Sequence, residues 1–167
     1  MTRREIAINY FKEGYNCSQA VLLAFQDVVG LSKEQCAMLA SSFGGGMGKL
    51  REVCGAVSGM FMVIGLIEGY SDPKNADEKA AHYKKIQHFA SLFTEQNGSI
   101  ICRELLSGTF SKHSDCKKTN CKQPSVSAEE ISSSTPPAER TDEYYKKRPC
   151  AELVGDAAEL LATYLNL

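Results

Sequence analysis

The stretch REVCGAVSGMFMVIGLI, residues 51–67, decides the fold because it contains the longest uncharged run in the chain. The fifteen residues from Val53 to Ile67 read as a buried apolar helix, and they fall short of the roughly 20 that a bilayer span needs. Gly55 and Gly59 each cost about 1 kcal/mol relative to alanine inside a helix. They therefore indicate a close approach by a neighbouring helix or by a ligand. We expect this stretch to be the central helix of a soluble bundle.

The apolar spacing on both sides of this stretch is helical as well. Steps of three and four residues predict further helices around 6–11, 21–29, 32–43, 76–97, 100–105 and 153–164. Asp72 and Pro73 are typical of the start of the long fifth helix, and Ser99 is a candidate cap for the sixth. The sequence has no strand-like alternation and no internal repeat. It predicts an all-α, single-domain bundle of about six or seven helices over 1–167, with a long irregular polar excursion at 108–146 before the last helix.

Composition and charge exclude several classes of partner. A chain of 167 residues suffices for one domain, and a formal net charge of -1 gives no basic excess for nucleic acid. The charged N-terminus lacks the apolar core of a secretory signal, so we expect a cytoplasmic protein with no membrane insertion. The sequence identifies no partner protein, and an apolar bundle end is compatible with a homodimer.

Seven cysteines are many for a cytoplasmic chain of 167 residues, and four of them share the same position relative to the predicted helices. Cys17, Cys54, Cys102 and Cys150 each fall at a predicted helix start, where unpaired N–H groups and the helix dipole favour a thiolate and lower its pKa. For Cys17, the preceding Asn16 and the following Gln19 form a capping-box pattern. A thiolate is the form that binds metal and attacks disulfides.

The remaining candidate residues give weaker signals. Cys36 is expected to be a buried structural cysteine, and His82 and His88 are expected to be solvated on the charged long helix. His113, Cys116 and Cys121 resemble a local metal clip, but the surrounding lysines favour an incidental or redox-labile cysteine pair. The glycine-rich run FGGGMGKL, residues 43–50, lacks the first glycine and the final Ser or Thr of a nucleotide phosphate loop. We interpret it as a turn between two helices rather than as an anion site.

The four cysteines carry a resemblance to a known family. Cys17 in GYNCSQAVLLAF, the run CGAVSG from Cys54 to Gly59, Cys102 in CRELL and Cys150 in PCAELV resemble the redox-active family named for its C…CGAxxG…C…C pattern, which is related to split-Soret cytochromes. The resemblance spans most of the chain outside 108–146. It implies an all-α fold and a redox role in which the four cysteines act together, as ligands of an iron–sulfur centre.

The chemistry of the ligand set leaves alternatives open. Four thiolates suit an iron–sulfur cluster and equally a tetrahedral structural zinc, and a metal-free pair cycling through a disulfide is a third reading. Haem is not expected, because the chain has no C-x-x-C-H attachment site. Gly55, Ala56 and Gly59 are candidate cofactor-binding residues, because their small side chains leave N–H groups uncovered for cluster sulfurs. Close helix packing is the competing explanation for these glycines.

Overall fold

The computed structural model describes residues 1–107 and 149–167. These ranges contain eight α-helices and one 3-10 helix at Ser41–Phe43. In chain order they are α1 (Arg3–Lys12), α2 (Cys17–Leu23), α3 (Gln26–Val29), α4 (Lys33–Ala40), α5 (Gly55–Glu68), α6 (Ala76–Asn97), α7 (Cys102–Ser107) and α8 (Cys150–Leu165). The β pairing recorded within these ranges is a single antiparallel bridge between Val53 and Ile101.

The predicted all-α fold is confirmed. The sequence predicted one helix where the structure has the two helices α2 and α3. The helix is interrupted at the fully buried Phe25, because the dihedral angles of this residue, φ -121° and ψ 16°, are not helical. The predicted excursion at 108–146 lies outside the described residues, and the single-domain organisation of 1–167 stays a prediction.

Helix α5 is the centre of the bundle. It packs against α2, α6 and α8, and its first six residues are all buried. Around it, α1 lies along α8, and four phenylalanines are fully buried in the core: Phe11, Phe25, Phe89 and Phe93. None of the helices in residues 1–107 and 149–167 has the length and apolar character needed to cross a membrane.

Two helix starts differ from the sequence prediction. Helix α6 begins at Ala76 rather than beside Pro73, because the Asn75 side chain accepts a hydrogen bond from Glu78 N at 3.1 Å and caps the helix there. Helix α7 begins at Cys102, while Ser99 Oγ accepts from Ile101 N at 3.0 Å in the preceding turn. Ser99 therefore shapes the approach to α7 without being its N-cap.

Helix α2 approaches α5 closely at the two glycines of the central helix. A Cβ atom on Gly59 would lie 2.7 Å from Ser18 O, and one on Gly55 would lie 2.9 Å from Phe43 O and 3.0 Å from Cys17 Cβ. By contrast, a Cβ on Gly65, further along α5, would meet no atom of residues 1–107 and 149–167 within 4 Å. Close helix packing is therefore observed at Gly55 and Gly59.

Candidate four-cysteine site

The four cysteines singled out from the sequence all stand at helix starts, as predicted. Cys17 is the first residue of α2, Cys102 the first of α7 and Cys150 the first of α8, while Cys54 is the N-cap residue of α5. Local sequence explains the first case: the Asn16 side chain accepts from Gln19 N at 3.0 Å, and Gln19 Oε1 accepts from Asn16 N at 2.9 Å.

The tertiary structure brings these four helix starts together. The Cys17 thiol interacts with that of Cys150, and the Cys54 and Cys102 thiols also act on it electrostatically. Cys54 in turn interacts with Cys102 and Cys150. Residues separated by 37, 48 and 48 positions along the chain thus form one cluster at one end of the bundle.

The backbone itself joins Cys54 to Cys102. Cys54 N donates to Ile100 O at 2.8 Å, and Cys102 N donates to Glu52 O at 2.6 Å, on either side of the bridge between Val53 and Ile101. Both side chains are nearly inaccessible, with 4% and 7% of their residue surface exposed. Cys17 and Cys150 are half-buried and are held instead by the packing of α1, α2 and α8.

The segment 44–53, between the 3-10 helix and Cys54, has an unusual backbone. Three of its glycines and three other residues have left-handed φ angles: Gly45 (66°), Gly46 (72°), Met47 (62°), Gly48 (59°), Lys49 (71°) and Arg51 (63°). Hydrogen bonds from Lys49 N to Gly44 O and from Glu52 N to Gly46 O close this left-handed coil. The turn expected from the sequence is present, but its handedness was not foreseen.

This left-handed coil contacts the cysteine cluster directly. A Cβ atom on Gly46 would lie 2.6 Å from Cys102 Cβ, so only glycine fits where the coil passes the cysteine. Arg51 Nη1 lies 4.0 Å from Cys102 Sγ. No local sequence signal identifies the sulfur that Arg51 contacts, because Cys102 lies 51 positions further along the chain.

The pKa values of the thiols differ from the expectation that a helix start lowers them. The hydrogen bond with Cys150, burial and the neighbouring thiols raise the pKa of Cys17 well above its usual value. Burial raises the pKa of Cys54 to about 12, although the backbone amides of Ala56 and Val57 act in the opposite direction. The expectation of lowered pKa values was therefore wrong for both: the hydrogen bond with Cys150 leads the causes at Cys17, and at Cys54 burial outweighs the backbone amides at the start of α5.

The donor set fits a thiolate-binding metal or cluster in its chemistry, because cysteine thiolates are ligands of zinc and of iron–sulfur clusters. Four cysteine side chains interact with one another at one end of the bundle. In residues 1–107 and 149–167, however, no group of three or more His, Cys, Asp or Glu side chains has the arrangement of an assembled metal site. Metal binding would therefore require the cysteine side chains to adjust.

The other residues singled out from the sequence lie away from the cluster or outside the described ranges. Cys36 is fully buried in the core, as expected, and His88 is exposed. His82 is half-buried, and its buried Nδ1 has no hydrogen-bond partner within residues 1–107 and 149–167, so it is less solvated than expected. The ring of Tyr70 meets the His82 ring edge-on, with the two ring centroids 5.8 Å apart. His113, Cys116 and Cys121 lie outside the described residues.

Comparison with known proteins agrees with the geometry. Residues 15–164 match the model of the family described as "Putative redox-active protein (C_GCAxxG_C_C)", a span that includes all four clustered cysteines. In this chain the central element reads Cys-Gly-Ala-x-x-Gly, from Cys54 to Gly59. No curated protein and no solved structure matches the chain. The chain therefore belongs to this family of redox-active proteins.

Proposed function

We propose that this protein transfers electrons through an iron–sulfur cluster bound by Cys17, Cys54, Cys102 and Cys150. One observation carries the proposal: four helix starts far apart in sequence bring four cysteine side chains together, with the backbone linking Cys54 to Cys102 and with Cys17 beside Gly55. Cysteine thiolates are the usual ligands of such clusters. The cluster would supply one-electron chemistry, while the chain supplies the ligands and the partly buried setting.

The electrostatics of the thiols support a positively charged occupant. The hydrogen bond with Cys150, burial and the neighbouring thiols raise the pKa of Cys17, and burial raises the pKa of Cys54, so four thiolates in this site are unfavourable by themselves. A metal ion or cluster core offsets this cost, because it neutralises the sulfurs that it binds. Metal binding should consequently release protons and strengthen as the pH rises.

Gly55, Ala56 and Gly59 fit a supporting role in this proposal. Gly55 lies beside Cys17 Cβ, and the amides of Ala56 and Val57 stabilise negative charge on the Cys54 sulfur. N–H groups directed at ligand sulfurs raise the reduction potential of a cluster. Gly59 contributes by admitting α2, the helix that carries Cys17, against α5.

The first experiment is to purify the protein without oxygen and to measure its absorbance, iron and acid-labile sulfide. We expect a brown protein with iron and sulfide in equal amounts. Serine variants of the four cysteines should each lose or alter the cluster, whereas Cys36→Ala and Cys116→Ser should retain it. A colourless protein would contradict the proposal, and stoichiometric zinc would favour a zinc-stabilised helical module without redox activity.

A second candidate function is a metal-free dithiol oxidoreductase, because the Cys17 and Cys150 thiols are in hydrogen-bond contact. In that reaction the two thiols reduce a small-molecule disulfide to two thiols, and a Cys17–Cys150 disulfide forms. Thiol counting on metal-free protein before and after oxidised glutathione would show the loss of two thiols. Cys150→Ser should abolish that loss and Cys102→Ser should not. Both candidate functions suit the reducing cytoplasm, the location that we propose.

A further inference from the structure

Arg51 differs from the other arginines of the described residues in what its side chain contacts. Arg3 and Arg4 form ion pairs with carboxylates of α3 and α8, and Arg103 pairs with Glu52 Oε1 at 2.9 Å. No such ion pair is formed by Arg51 within residues 1–107 and 149–167; its guanidinium lies 4.0 Å from Cys102 Sγ. The positive charge of Arg51 is therefore directed at the cysteine cluster.

The backbone holds Arg51 in this position at an energetic cost. Its φ of 63° is left-handed, a conformation that costs a residue with a side chain roughly 1–2 kcal/mol. Hydrogen bonds on both sides maintain it, from Arg51 N to Gly45 O and from Arg103 N to Arg51 O. Strained backbone of this kind persists where the surroundings fix it, and it is concentrated at functional sites.

We infer that Arg51 raises the reduction potential of the four-cysteine centre by stabilising negative charge on the Cys102 sulfur. This inference rests on the proposed function. When one electron from a one-electron donor such as dithionite enters the centre, its net charge becomes more negative by one, and no covalent bond forms or breaks. A guanidinium stays charged at all relevant pH values, so it stabilises the reduced state more than the oxidised state. Arg51 acts through Cys102 and is a tuning residue.

The test is an anaerobic redox titration of the purified protein and of three variants. Arg51→Gln removes the charge, and Arg51→Lys keeps a charge on a differently shaped side chain. The control is Arg103→Gln, because Arg103 directly follows Cys102 but its charge pairs with Glu52. At a fixed potential we expect Arg51→Gln to lower the ratio of reduced to oxidised centre about tenfold, equivalent to 59 mV for a one-electron couple. Arg51→Lys should lie between Arg51→Gln and wild type, and Arg103→Gln should stay close to wild type.

Iron content and visible spectra, measured on the same samples, separate the possible failures. If wild-type protein binds no iron, the proposed function and this inference are both overturned. If all variants bind iron like wild type and Arg51→Gln has an unchanged potential, the inference alone is wrong. A shift of equal size in Arg103→Gln would also overturn it, because the effect would then reflect general surface charge. If Arg51→Gln fails to fold, the reduction potential of Arg51→Lys is compared with those of wild type and Arg103→Gln. An Arg51→Lys potential equal to that of wild type overturns the inference.

Discussion

The two halves of the cysteine cluster are held in place by different means. Cys54 and Cys102 are buried and are joined through backbone hydrogen bonds beneath the left-handed coil of residues 44–53. Cys17 and Cys150 are half-buried, their thiols interact, and no backbone bridge like that between Cys54 and Cys102 is recorded for them within residues 1–107 and 149–167. The comparison indicates a rigid half, whose sulfurs are fixed by the main chain, and an adaptable half, whose sulfurs can approach a ligand or each other.

The two halves meet along α5 and α2. Gly55 follows Cys54 directly and lies beside Cys17. A Cβ atom on Gly55 would lie 3.0 Å from Cys17 Cβ, so there is no room for a side chain between them. Any change that moves α2 away from α5 therefore moves the adaptable half relative to the rigid half. Substitutions in the rigid half, at the boundary between the halves and in the adaptable half should therefore have different effects.

The largest effect is expected in the rigid half, from Gly46→Ala. The new Cβ would lie 2.6 Å from Cys102 Cβ and 2.9 Å from Glu52 N, and alanine is strained at a φ of 72°. Overpacking and left-handed strain together predict a loss of about 3 kcal/mol in the free energy of unfolding, measured by urea denaturation. The matched control is Gly48→Ala, where φ is also left-handed but the nearest atom is 3.6 Å away; it should lose about 1 kcal/mol. Equal losses would show that contact with Cys102 is unimportant.

The second effect concerns the boundary between the halves. In Gly59→Ala the new Cβ would lie 2.7 Å from Ser18 O, which is backbone and cannot rotate away, so α2 must shift. We expect a loss of about 1–2 kcal/mol in unfolding free energy, because overpacking exceeds the gain in helix propensity. Gly65→Ala in the same helix meets nothing within 4 Å and should gain about 0.5–1 kcal/mol. If both variants were stabilised, α2 would not depend on the glycine at 59.

The third effect tests the cap that begins the adaptable half. Asn16→Ala removes the acceptor for Gln19 N and the donor to Ser41 O, so we expect a loss of about 1 kcal/mol. In metal-free protein, iodoacetamide should also modify Cys17 faster, as read from peptide masses. Ser32→Ala removes the equivalent capping box of α4 and should cost a similar amount without changing Cys17 modification. Faster modification of Cys17 in both variants would mean that general destabilisation, rather than the cap, exposes this thiol.

The smallest effect is expected from Arg4→Gln. Arg4 joins α1 to three acidic residues of α8, the helix that begins with Cys150: Glu152, Asp156 and Glu159. Most of these carboxylates are well exposed, so the loss should be about 0.5–1 kcal/mol at low salt and smaller in 0.5 M salt. Arg3→Gln is the control, since Arg3 pairs with Asp27 of α3 instead. A loss that does not depend on salt would assign the role of Arg4 to packing against Gly155.

Local sequence signals were sufficient for much of the fold and for the composition of the candidate site. Helical spacing and caps such as Asn16 predicted where α2 begins and that Cys17 would be its first residue. The helical spacing failed at Phe25, where core packing breaks the helix although the apolar pattern continues. The proline signal failed at Pro73, because Asn75 is the better cap. In both cases a tertiary or neighbouring interaction outweighs the local preference.

The sequence by itself determined that four cysteines stand at helix starts around an apolar central helix, because spacing and capping act within a few residues. Only the tertiary structure decided that these four starts meet, since the contacts span dozens of residues. It also decided the left-handed path that takes Arg51 to Cys102, which its hydrogen bonds impose against the preference of the side chains. The raised pKa of Cys54 has the same origin, because burial acts on the sulfur only after the bundle has assembled.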